Sequence, residues 1–298
     1  MATIPYPKIA KSTVPFYKTR SFERGVKNVI VYILLIALSL VFVFPFFWML
    51  SSSLKANADI FLWPPQWFPN PLVWQNYADA FSNPFLPFLK FFQNTMIIEI
   101  GVMVGKLISC VLVAYGFARL NAPGKNFVFG ILLATFMLPG AVTMIPKYIL
   151  FNYLGWINTF LPLIVPSWFG ESYAIFLMRQ FFMTIPRELE EAAIMDGANT
   201  YRIIRNIIVP LSAPILAVIA VLTFKDVWND FFGPLLYLNN SQLYTLSVGL
   251  AFFNGQYVVQ MNLLMAASSV MMVPLIIVFF LAQKAFVEGI SLTGIAGR

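Results

Sequence analysis

Two stretches of this chain carry side chains that can do more than pack. The first is Phe224-Lys225-Asp226-Val227-Trp228-Asn229-Asp230. On a helix, Asp226, Asn229 and Asp230 fall at i, i+3 and i+4, on one face. Carboxylates and an amide beside an aromatic ring suit a polyhydroxylated ligand. Trp168, Glu171 and Ser172, just after Pro166, form a second set of the same kind. The plainer alternative for the first set is an interfacial belt, with Trp and Phe at headgroup depth and acids facing water. For the second it is helix packing around a carbonyl freed by Pro166.

The other stretch is Pro186–Pro210, PRELEEAAIMDGANTYRIIRNIIVP, a polar island between apolar runs. Pro186 suits a first helical turn, where a missing N–H costs nothing. Glu188, Glu190 and Glu191 then sit at the positive end of the helix dipole. Ala192 and Ala193 give a low surface, and Gly197 suits the left-handed residue that ends such a helix. Arg202 and Arg205 open a second helix that climbs into the apolar run near Ile207. The expected shape is a helix-turn-helix bracket on a membrane surface, for another protein to grip.

Other chemistry is excluded or unsupported. With no histidine, a Ser-His-Asp triad and His metal sites are impossible. The single cysteine, Cys110, rules out a disulfide within the chain. No phosphate-binding loop of the Walker type occurs, and no nucleophile–base or metal set is visible.

The elements that position these residues are membrane spans. Hydrophobic residues make up 60% of the 298 and charged residues 10%, where soluble chains carry about a quarter charged. Runs long enough to cross a bilayer, ~20 residues, fall at about 29–50, 91–117, 127–149, 158–182, 207–229 and 261–286. The third is interrupted by Pro139-Gly140 and Pro146. Residues 1–28 read as a basic cytoplasmic tail, with an uncleaved anchor following. Residues 51–90 read as an outer loop rich in Pro and Trp, and 287–298 as a cytoplasmic tail. Within span two, Lys106 is expected to snorkel to the inner headgroups; Glu99 is left between a lining position and the outer third of the bilayer.

The net charge of +7 follows this topology. With the N-terminus inside, Lys8, Lys11, Lys18, Arg20, Arg24, Lys27, Arg119, Lys125, Arg179, Arg187, Arg202, Arg205, Lys284 and Arg298 all lie on the inner side. Only Lys55, Lys90, Lys147 and Lys225 lie outside. The bias of short inner loops toward Lys and Arg sets the orientation. It explains the basic character without nucleic acid and puts the bracket in the cytoplasm.

Glu191-Ala192-Ala193, Gly197, Ile207 and Pro210 resemble the "EAA" loop of bacterial ABC-import permeases, with Val209 where the family usually has Leu. Asn76-Tyr77 after a Pro-rich turn, Trp228-Asn229-Asp230-Phe231 before Pro234-Leu235, and Tyr244-Thr245-Leu246 before Val248-Gly249-Leu250 resemble elements of the carbohydrate-uptake, maltose-transporter-type branch. The ending Glu288 to Arg298 is similar to the short tail of the branch member whose C-terminus enters the ATPase interface, with Gly297-Arg298 in place of Lys-Gly.

The resemblance implies an all-α polytopic membrane protein with six transmembrane helices, the type I ABC-importer (MetI-like) domain. A peripheral first helix would pack on a core spanning 91–286, with a cytoplasmic coupling loop at 184–206. It implies a permease subunit that carries a sugar, first of all an oligosaccharide, across a prokaryotic plasma membrane, both termini cytoplasmic. Its partners would be a second homologous permease, an ABC ATPase dimer, an extracytoplasmic sugar-binding protein and membrane lipid. ATP and Mg would bind the ATPase, leaving this chain with no cofactor and no catalytic role.

Residue by residue, Glu190, Glu191, Ala192, Ala193, Asp196, Gly197, Ala198 and Pro210 would couple to the ATPase. Gly294, Gly297 and Arg298 would touch it from the tail. Trp168, Glu171, Asp226, Trp228, Asn229 and Asp230 would line the substrate pathway. A glycerol-3-phosphate-type or other polar solute is the alternative cargo, and a secondary transporter the rival class. A phosphate asks for Arg or Lys, which the spans largely lack, so a neutral sugar is favoured.

Overall fold

The computed structural model describes residues 20–82, 87–253 and 260–295. Every regular element among them is helical. Helix α1 (Arg20–Ser53) is followed by an irregular outer loop, α2 (Gln75–Ser82) and the long α3 (Phe88–Arg119). Among the described residues, four helical stretches are long and apolar enough to cross a membrane: Lys27–Ser53, Phe88–Arg119, Leu161–Phe182 and Met261–Gln283. Two bent pairs raise the number to six.

One bend falls at the expected interruption, Pro139-Gly140, and the others lie where straight spans were expected. The third span is α4 (Lys125–Phe136) and α5 (Gly140–Tyr153), meeting at 96°. Pro139 takes an extended conformation between them. The fourth begins with α6 (Leu161–Ile164) and a 3₁₀ turn, Val165–Phe169. It breaks at Gly170, whose φ is 86°, and resumes as α7 (Ser172–Phe182). After α8 (Glu188–Met195) comes α9 (Thr200–Ile203), a π turn at Ile204–Ile208 and α10 (Val209–Leu211). These lead into α11 (Ala213–Trp228) at 78°. Two prolines four residues apart, Pro210 and Pro214, account for this elbow. Each lacks an N–H and crowds the carbonyl four residues back, and the π turn absorbs the first gap.

The chain closes with α12 (Phe232–Tyr237), α13 (Leu246–Ala251) and α14 (Met261–Ile295). The last helix thus runs beyond 286, where a tail was expected to begin. A glycine in a helix costs only about 1 kcal/mol, and no proline follows Pro274 to stop it.

Helix α3 is the axis of the packing. Its C-terminal half, with Cys110, Val111, Ala114, Tyr115 and Ala118, packs on Ala174, Ile175, Met178 and Phe182 of α7 and on Ile203, Ile208 and Ile219. Its N-terminal end, with Phe88 and Phe91, joins Phe224 and Trp228 of α11 and Leu263, Ala266 and Ala267 of α14. Helix α1 is peripheral. Its outer end is buried at Ser51, Ser52 and Ser53, while Val29 to Val43 expose their apolar side chains.

The outer loop is tied down by polar contacts. Lys55, 1% exposed, lies over the Trp48 ring and donates to the Gln66 carbonyl. Asn76 Nδ2 donates to the carbonyls of Ser53 and Lys55, each at 2.8 Å. Asn262 on α14 donates to Asn76 Oδ1 at 2.8 Å. The hydroxyl of Tyr77 bridges Ser53 and Ser269. The Asn76-Tyr77 pair therefore fastens the loop to both α1 and α14.

Candidate functional site

The first site is a cleft of about 240 Å³ lined by Lys106, Glu171, Tyr173, Thr223, Lys225 and Asp226. The break in the fourth span forms one wall, and α3 fixes it. Gly170 supplies the positive φ that swings the chain round. The Glu171 N–H donates to the Cys110 thiol at 3.3 Å. Ser109 Oγ donates to the Ser167 carbonyl at 3.1 Å. Trp168 Nε1 donates to the Gly101 carbonyl at 3.2 Å, and its indole lies where a side chain on Gly105 would stand. Gly101, Gly105 and Ser109 follow at i, i+4 and i+8, one face of α3.

Four charges meet in the cleft as two pairs. Lys106 Nζ lies 3.1 Å from Glu171 Oε2, and Lys225 Nζ lies 3.4 Å from Asp226 Oδ1. Lys106 was expected to snorkel to the headgroups. Instead it is turned inward, 16% exposed, onto Glu171. A charge buried between helices needs its counter-charge close by. The Thr223 hydroxyl, also in the cleft wall, is buried and has no hydrogen-bond partner among the described residues. Both oxygens of Glu99, on α3 as well, are buried without hydrogen bonds among those residues.

Of the six pathway residues singled out above, Glu171 and Asp226 line this one cleft, and Trp168 packs beside it. The other three are placed differently. Trp228 is 2% exposed, stacked on Phe224 with its Nε1 donating to the Met271 carbonyl at 3.1 Å. It joins α11 to α14. Asn229 is exposed, and its amide donates to the Lys225 carbonyl at 2.7 Å. The shared face of Asp226, Asn229 and Asp230 does not form, because α11 ends at Trp228. Asp230 turns away and accepts the Gly233 N–H at 2.9 Å, holding the start of α12. Burial pushes its carboxyl up from the ordinary value, and the N–H groups of Gly233 and Phe232 oppose that.

The second site is the bracket. Helix α8 ends as expected: Gly197 has φ 78°, its N–H donates to Ile194 O, and the Ala198 N–H donates to Ala193 O, each at 2.9 Å. This pair of bonds is the glycine-terminated Schellman closure. Asn199 caps α9 by accepting the Arg202 N–H at 2.9 Å. Ala193 and Ala198 pack on the inner core. Glu191, Ala192, Asp196 and Pro210 are exposed.

Glu190 points the other way. It is 8% exposed, with Oε1 2.6 Å from Arg119 Nε and Oε2 accepting from the Tyr115 hydroxyl at 3.2 Å. Arg119 also donates through Nη2 to the Ile185 carbonyl at 2.6 Å. Sequence reasoning missed Arg119 and Tyr115, whose only signal was a four-residue spacing at the inner end of one helix. Gly294 lies in the last turn of α14. Gly297 and Arg298 lie outside the described residues. No group of three Cys, Asp or Glu side chains placed to hold a metal occurs among the described residues.

The comparisons agree with this architecture. Residues 108–292 match the family described as binding-protein-dependent transport system inner membrane component. The chain is 33% identical over 254 residues to a probable ABC transporter permease of Pyrococcus horikoshii, covering 85% of this chain and 92% of that one. It is 32% identical over 229 residues to an arabinooligosaccharides transport system permease of Halalkalibacterium halodurans, covering 77% and 81%. A crystal structure of a bacterial ABC transporter for import of the acidic polysaccharide alginate superposes with a TM-score of 0.76 at 24% identity, over 91% of this chain and 99% of that one.

An all-helical chain with several membrane-length helices that matches this family is a membrane transport permease. This chain belongs to the binding-protein-dependent transport system inner membrane component family, with the MetI-like fold.

Proposed function

We propose that this chain is one permease subunit of an importer that carries an oligosaccharide across a prokaryotic plasma membrane, driven by ATP hydrolysis on separate subunits. The observation that carries the reading is α8: a short helix whose Glu191–Ala192 side is open while its other side is fastened to the inner end of α3. A small-residue face with an adjacent charge fits a cleft of an ATPase dimer. ATP and Mg bind that partner. The tail residues Gly294, Gly297 and Arg298 meet the same ATPase.

The pathway runs past Glu171 and Asp226, with Trp168 behind them. Each lysine in the cleft already faces a carboxylate. A neutral polyol finds donors and acceptors there, whereas a phosphate or carboxylate cargo finds no uncommitted cation. A second homologous permease completes the cavity, and an extracytoplasmic sugar-binding protein delivers the cargo. The relative that transports arabinooligosaccharides supports this class of cargo. The distribution of Lys and Arg supports cytoplasmic placement of both termini.

The test is uptake of labelled neutral oligosaccharides, arabino-oligosaccharides first, into inside-out-free vesicles holding the two permeases, the ATPase and the binding protein. Uptake should need internal ATP and the ATPase chain. Uptake driven by an ion gradient without the ATPase would replace this reading with a secondary transporter.

A further inference from the structure

Neighbouring residues on a helix point about 100° apart, and α8 uses this to separate two carboxylates. Glu191 faces out, and Glu190 faces in to Arg119 and Tyr115. We propose that the Arg119–Glu190 pair is the link through which displacement of α8 moves α3, and that it takes no part in gripping the ATPase. This inference rests on the permease reading above.

The attachment is made at several points. Arg119 holds Glu190 at 2.6 Å and the Ile185 carbonyl at 2.6 Å. Tyr115, one turn up the same helix, holds the other Glu190 oxygen. Both the segment entering α8 and its first turn are therefore bound to the last turns of α3. Arg179 on α7 adds a bond to the Phe117 carbonyl at 3.3 Å, so the neighbouring helix is tied to the same end.

Helix α3 then carries the displacement to everything functional. Lys106, about 20 Å up the helix from Arg119 at 1.5 Å per residue, meets Glu171 in the cleft. At the outer end, Asn94 Nδ2 donates to the Gln242 and Tyr244 carbonyls at 2.8 and 3.0 Å. Thr95 Oγ1 accepts the Leu246 N–H at 3.0 Å. One rigid helix joins bracket, cleft and outer loop. Pulling on α8 with the link intact moves all three. With the link removed, apolar packing at Ala193 and Ala198 is the main remaining contact of the bracket with the core, and less of the displacement reaches α3.

The test uses the full complex of both permeases, ATPase and binding protein in proteoliposomes. Asp226→Cys reports the cleft through its rate of labelling by a maleimide, since Cys110 is buried. In the parent, ATP with vanadate should change that rate several-fold. Glu190→Gln should reduce the change several-fold while ATP hydrolysis continues. Arg119→Met with Glu190→Leu should do the same; a buried ion pair replaced by apolar groups of similar size usually leaves the fold intact, which guards against simple misfolding. Glu190→Arg with Arg119→Glu should restore part of the response, an outcome that a purely structural role would not give. A nucleotide response as large as the parent's in both uncharged variants would overturn the link. A parent with no response at all would contradict the pathway reading and the link with it.

Discussion

Lys106 on α3 and Glu171 at the break of the fourth span stand 3.1 Å apart, an ion pair in the wall of the cleft. Lys106 is largely covered, while Glu171 is 41% exposed, so solvent screens the pair. Such a pair contributes about 1 kcal/mol or less to stability. Glu171→Gln should therefore change thermal stability in detergent by no more than that, yet lower uptake several-fold. A large loss of stability with normal uptake would place the pair in the packing alone.

The contact between Trp168 and Gly105 is a steric one. A methyl group on Gly105 would run into the indole of Trp168. Gly105→Ala should cost about 1–3 kcal/mol, the usual penalty of overpacking. Trp168→Leu in the same chain should recover much of it. Melting of the two single variants and the double variant gives the coupling, and strict additivity would contradict the contact.

Gly197 is a different case, because nothing lies within 4 Å of where its side chain would stand. Any penalty comes from its φ of 78°. Gly197→Val should cost about 1–2 kcal/mol or more, and Gly197→Asn less, since Asn tolerates the left-handed region. The valine variant should also lose ATPase association. Equal behaviour of the two variants with the parent would show that the turn is indifferent to its residue.

Removal of residues 294–298 should leave insertion intact, because the last membrane-length stretch ends at Gln283. It should lower ATPase stimulation by the permease. Unchanged stimulation would show that the tail makes no contact of consequence.

The bracket was legible in the sequence because its signals are local: a proline before α8, acids in the first turn, a glycine at the end. The interruption of the third span was legible for the same reason, at Pro139-Gly140. The elbow at Ser212 was not, since Pro214 sits inside an apolar run and reads as part of a span. The pairs Lys106–Glu171 and Arg119–Glu190 were not legible either. Each joins residues far apart in the chain, and only packing of α3 against the fourth span and α8 brings them together. Trp228 misled for a related reason. A tryptophan beside carboxylates reads as a pathway ring, or as interfacial, but here α14 supplies the Met271 carbonyl that lets it be buried.

The most direct measurement of the central claim, that α8 is the seat of an ATPase, is a photo-crosslink from position 195. A benzophenone side chain there replaces Met195, which is already large and exposed, so the small face at Ala192 is kept. In cells expressing the full complex, illumination should give one adduct of this chain with the ATPase subunit. The adduct should weaken strongly with Glu191→Ala, since a charge pair closed off at a contact loses about 2–5 kcal/mol when one partner goes. Glu188→Ala should weaken it less. No adduct with the ATPase, or an adduct indifferent to Glu191, would contradict the claim.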